Sequence, residues 1–126
     1  MPQLTGKEVE TRLGRLVLSE EAIATIAGAA ATECYGVVGM AGRRMVDGIA
    51  ELLGKENLSK GVSVSIEGDL VYIDLSVVVG YGVKISEVAR MVVEKVRYTV
   101  ENVTGLKVKK VTVNVQGIRL QGSSGS

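Results

Sequence analysis

The chain reads as an α/β (α+β) domain, a two-layer sandwich with a mixed β-sheet and helices on one face, in the order β-α-α-β-β-α-β. Three observations predict it. Apolar residues alternate at period two through Val62, Val64 and Ile66, and again through Val71, Ile73, Leu75, Val77 and Val79. A stripe at helical spacing runs through Ile85, Val88, Val92, Val96, Val100 and Val103. With 126 residues, 46% apolar and 23% charged, the chain can close one hydrophobic core, which excludes disordered and collagen-like classes.

Taken in order, residues 1–11 carry no periodic signal and read as a flexible arm. Residues 12–120 read as one domain, and Arg12 to Leu18 as its first short strand. Ser19 is the N-cap of the first helix. Glu20 and Glu21 suit the positive end of its dipole, and Leu18 and Ile23 stand at hydrophobic-staple positions. That helix runs to about Cys34, with Ile23, Ile26, Ala27, Ala30 and Cys34 on one face. Its other face is small and apolar, so it is packed on two sides or hides one side in an oligomer.

Gly36, Gly39 and Gly42 punctuate the next stretch. A second helix is expected at Arg44 to Leu53, stopped by Gly54, and then a polar loop from Lys55 to Gly61. Gly68-Asp69 is a two-residue hairpin turn between the alternating strands. Gly80-Tyr81-Gly82 breaks the second of them. The third helix spans Ser86 to about Thr104; its β-branched content requires burial to hold it. Gly105 stops it. A last strand follows, with Val111, Val113 and Val115 inward and Lys110, Thr112, Asn114 and Gln116 outward. Residues 121–126, all Gly and Ser after Gln121, read as a disordered tail or cloning scar.

Composition narrows the chemistry. With no His and one Cys, the usual zinc sites and His-based triads are excluded, and no internal disulfide forms. Cys34 has no base and ends an apolar stripe, so it reads as a core residue. Glu67, Asp69 and Asp74 read as a solvated hairpin tip and not as an acid/base pair. The glycines match neither the dinucleotide fingerprint nor a P-loop. The expectation is no catalytic residue, no cofactor and no metal. The longest apolar stretch, Ala22 to Ala31, is interrupted by Thr25, is too short to span a bilayer, and follows two glutamates instead of a basic leader. A cytoplasmic location is therefore expected.

Gly39-Met40-Ala41-Gly42 has the form of a KH-type GxxG loop followed by Arg43 and Arg44, which makes KH-like RNA binding the alternative function. The net charge of +1 and four scattered tyrosines argue against nucleic acid as the partner. Charge is nonetheless uneven. Residues 62–83 hold three acids and no base; residues 84–110 hold seven bases against three acids, a net of +4. Gly39, Gly42, Arg43, Arg44, Arg90 and Arg97 form the expected interaction surface.

Val79-Gly80-Tyr81-Gly82-Val83-Lys84-Ile85-Ser86-Glu87-Val88-Ala89 is distinctive, as is Thr104-Gly105-Leu106-Lys107-Val108 followed by Val111-x-Val113-x-Val115-x-Gly117-Ile118. With Gly14-x-Leu16-x-Leu18-Ser19 and Gly36-Val37-Val38-Gly39-Met40, these resemble the alkaline-shock/general-stress protein family of Gram-positive and related bacteria, over roughly residues 12–120. The resemblance implies a small, cytoplasmic, non-enzymatic bacterial protein of stress response and cell-envelope homeostasis. It also implies a homo-oligomer held at the membrane periphery through a membrane-anchored protein partner.

Overall fold

The computed structural model describes residues 6–10, 12–46 and 49–120. The expected tail at 121–126 lies outside the described residues, as does the start of the expected arm at 1–5. Strands β1 (Gly6–Glu10) and β2 (Arg15–Ser19) pair antiparallel as a separate ribbon, so the stretch that lacks a periodic signal contains a strand. The Ser19 hydroxyl accepts the Ala22 N–H at 2.9 Å and caps α1 (Glu20–Thr32), as its position before two glutamates predicts. After α1 come β3 (Val37–Val46), β4 (Ile49–Leu52), a 3-10 helix (Lys55–Gly61), β5 (Val62–Glu67), β6 (Leu70–Gly80), α2 (Ile85–Thr104) and β7 (Lys107–Arg119).

β6 is the hub of a mixed sheet. β5 runs antiparallel along its first half, from Glu67 opposite Leu70 to Val62 opposite Leu75. β3 takes over the same edge near the end, with Met40 opposite Val77 and Val37 opposite Val79. β7 lies parallel along the other edge from Leu70 to Gly80. The inward side chains of β6 (Val71, Ile73, Leu75, Val77 and Val79) meet Ile23, Ala27 and Ala31 of α1 and Val88, Val92, Val96 and Val100 of α2 in one core. The expected class, a mixed sheet with helices on one face, is what the chain forms, and the 3-10 helix occupies the second helical place in the order.

The described residues of the segment expected as a helix, Arg44 to Leu53, are not helical, and Gly54 is no helix stop. Arg44 to Val46 belong to β3 and Ile49 to Leu52 to β4, which pair antiparallel at Val46–Ile49 and Met45–Ala50. Pairing of β3 with β4 into an antiparallel hairpin overrides the local helical pattern. Gly39 lies buried in β3, where a Cβ would come within 2.9 Å of Leu52 Cδ1. The Gly39–Gly42 stretch is therefore strand and not a loop between helices, which removes the structural premise of KH-like binding. Lys55 to Gly61, expected as loop, closes the small-residue side of α1: a Cβ on Gly28 would lie 3.2 Å from Leu58. The Ala-rich helix is thus packed on two sides within one chain. The stripe of α2 is buried at Val88, Val92, Val96, Val100 and Thr104, steps of four that leave Ile85 and Val103 exposed.

Candidate functional site

Two features face outward. The first arises where α1 ends. Gly36 adopts a left-handed φ of +94°, and its carbonyl accepts the Gly80 N–H at 2.9 Å. This bond ties the turn after α1 to the end of β6 and brings Tyr35 and Tyr81 to one cleft of about 390 Å³, floored by Val83, Val88 and Met91. The two tyrosines are 80% and 68% exposed. Lys84 and Glu87 stand at its rim, where α2 begins without a side-chain cap. The sequence shows these tyrosines as scattered. The Gly36–Gly80 bond and the neighbouring Val37–Val79 pairing unite them, and neither is announced by a linear signal.

The second feature is β7. Its inner face is closed at Val108 and Val111, then loosens to half-buried Val113 and Val115 and to Ile118, which is 54% exposed. On the outer face, Asn114 Nδ2 donates to Asp74 Oδ1 at 2.5 Å and to the Leu75 carbonyl at 3.0 Å. One edge of β7 pairs with β6; among the described residues no strand pairs with the other.

The expected surface residues divide between two elements. Gly39 and Gly42 lie in β3; the side chains of Arg43 and Arg44 lie outside the described residues. Arg90 and Arg97 are exposed on α2. Arg90 bonds Glu87 at 2.7 Å and Glu94 at 3.3 Å, and these carboxylates push its guanidinium further up its always-charged range. Arg90 is thus engaged within its own helix, an exposed pairing of small energetic value.

Cys34 Sγ lies 3.8 Å from the Ala30 and Met91 carbonyls. Burial raises its pKa, and Lys95 opposes that only partly, being itself paired with Glu33 at 3.5 Å. A thiol kept protonated is a poor nucleophile. Among the described residues no group of three His, Cys, Asp or Glu side chains is placed to hold a metal ion, and no helix is long and apolar enough to cross a membrane.

These features define a small two-layer α+β domain with helices on one face of a mixed sheet, in which no described strand pairs the outer edge of β7. The chain belongs to the ASP23 family, a family of cell envelope-related function, whose profile it matches over residues 8–120. The resemblance read from the glycine-valine motifs is borne out. YloU of Bacillus subtilis (strain 168), itself uncharacterised, is 49% identical over 114 residues, covering 90% of this chain and 95% of the relative. Spy1614 of Streptococcus pyogenes serotype M6 is 41% identical over 118 residues, covering 93% and 98%. YqhY of Bacillus subtilis (strain 168) is 39% identical over 110 residues, covering 87% and 81%. Among solved structures, a nickel form of the MamM C-terminal domain aligns with a TM-score of 0.47 at 15% identity, covering 77% of this chain and 96% of that one. At that score the likeness carries no functional argument.

Proposed function

We propose that this chain is a non-enzymatic interaction protein of the cell envelope, cytoplasmic and active in stress response. It works by self-association and by docking on a membrane-anchored partner that holds it at the membrane periphery. The observation that carries the reading is the pair Tyr35 and Tyr81, two large rings left in solvent on one cleft. Exposed aromatics clustered over an apolar floor are the side chains that dominate binding energy at protein interfaces. The open edge of β7 supports the self-association part, because an unpaired strand edge is a template for another chain.

Light scattering over a concentration series tests self-association, and the expected result is a mass that rises with concentration. Capture from envelope fractions by the wild-type chain and by a Y35A/Y81A double variant tests docking. The expected result is a defined protein retained by the first and lost by the second. A strict monomer at every concentration, together with identical capture by both chains, would overturn the proposal.

A further inference from the structure

The free edge of β7 is capped at its first end and interrupted by bulges on both sides of its middle. At one end the Val108 N–H is taken by Glu101 Oε2 at 2.9 Å. At the other end the Tyr81 N–H donates to the Arg119 carbonyl at 2.8 Å, which continues the β6–β7 ladder and leaves the outer edge to be blunted by a bulge. The register against β6 skips Lys109 and Gln116, so a bulge interrupts the strand at each of these residues. Bulges and lysines are the devices that blunt strand edges. Lys107, Lys109 and Lys110 crowd the first half, whereas Val111 to Val115 carries no charge. What is left to pair is the stretch from Lys110 to Gln116, whose midpoint is Val113.

This stretch is complementary to itself when reversed. We propose that two copies join through their β7 strands, antiparallel, with Val113 of each copy on the two-fold axis; the proposal rests on the self-association reading above. In this register Val111 faces Val115 of the second copy on the inner side, and Thr112 faces Asn114 on the outer side. Lys110 faces neutral Gln116, and Lys109 faces Gly117. Only Lys107 meets a like charge, Arg119, at the frayed end of the pairing. A parallel arrangement would set lysine against lysine along the first half, so charge selects the antiparallel one. An isologous contact of this kind closes at two copies. It also extends the inner valine row across the axis, covering Val113, Val115 and Ile118, which a single chain leaves half-open.

The contact is small. Seven paired residues make a ladder of about 23 Å at ~3.3 Å per residue. With a sheet-plus-helix depth of roughly 18 Å it buries on the order of 400 Å² per copy, the range of weak, reversible association. A concentration-dependent dimer is therefore expected, not an obligate one.

Cysteine pairing tests the register. With Cys34→Ser removing the native thiol, directly opposed positions lie within disulfide reach. Mixed Thr112→Cys and Asn114→Cys chains are expected to cross-link to each other at least tenfold faster than either does to itself. Val113→Cys is expected to cross-link to itself. In the unmodified protein, amide exchange across 110–116 is expected to slow with concentration while the outer-edge amides of β5 stay unchanged. If the mass doubles with concentration but neither the cysteine preference nor the exchange protection is seen, the copies meet elsewhere; the β7 geometry is then overturned and self-association stands. A strict monomer overturns both.

Discussion

Replacing Gly36 by alanine is expected to be far more damaging than the same change at Gly82 or Gly14. At Gly36 two independent costs combine. Its φ of +94° lies in the left-handed region, where a side chain costs about 1–2 kcal/mol. The added methyl would also lie 2.7 Å from Val88 Cγ2 and 3.5 Å from Val88 Cγ1. Val88 is 3% exposed and wedged in the core, so it cannot swing into solvent. Overpacking of this kind adds roughly 1–3 kcal/mol. Together they give about 2–5 kcal/mol, or a fall in Tm of roughly 8–19 °C for a domain of this size. Two controls separate the terms. Gly82 has φ +92° with nothing within 4 Å, so Gly82→Ala carries only the backbone cost of about 1–2 kcal/mol. Gly14 has neither burden, and Gly14→Ala should change stability by less than about 0.5 kcal/mol. Thermal and urea melts followed by circular dichroism measure all three. Equal losses for Gly36→Ala and Gly82→Ala would refute the steric reasoning.

Two further outcomes follow from single hydrogen bonds and from the thiol. Thr104 Oγ1 donates to the Val100 carbonyl at 2.6 Å and accepts the Leu106 N–H at 3.1 Å, so the near-isosteric Thr104→Val leaves that buried donor unmet. A loss of about 1–3 kcal/mol in urea melts is expected, with an unchanged m-value. Burial raises the Cys34 pKa in the folded chain, so the unfolded chain gives up its thiol proton first. Stability is unaffected by this group below the ordinary thiol value of about 8.5 and falls as pH rises past it toward the folded pKa. Cys34→Ala should flatten that alkaline slope in melts taken from neutral pH upward.

The parts of the fold legible in the sequence are those whose partner is near in the chain or whose period is clean. The β5–β6 turn is written in Gly68, whose φ is +63°, and in the alternation on either side of it. The α2 stripe is written in valines four apart. β3 is not legible because its burial is non-local. Gly39 and Gly61 are buried without side chains, Gly61 with its Cβ position only 2.9 Å from the Ala41 carbonyl, so close approach replaces the apolar alternation that marks a strand. The Asp47-Gly48 dipeptide is hairpin-turn chemistry in sequence and is the one linear signal for β3–β4. The tyrosine cleft depends on the Gly36–Gly80 bond between distant residues. The reversed symmetry of β7 about Val113 is present in the sequence; that this strand lies at an edge is not, since edge position depends on which strands flank β6.

The arrangement around β6 also bears on synthesis. This eleven-residue strand is flanked on one side by β5 and β3, both of which precede it or turn directly into it, and on the other by β7 alone, which arrives after a twenty-residue helix. A nascent or prematurely terminated chain ending before Lys107 would therefore present one whole flank of its central strand to solvent. An unpaired flank of that length is a template for mispairing, and it is β7, thirteen residues long, that covers it.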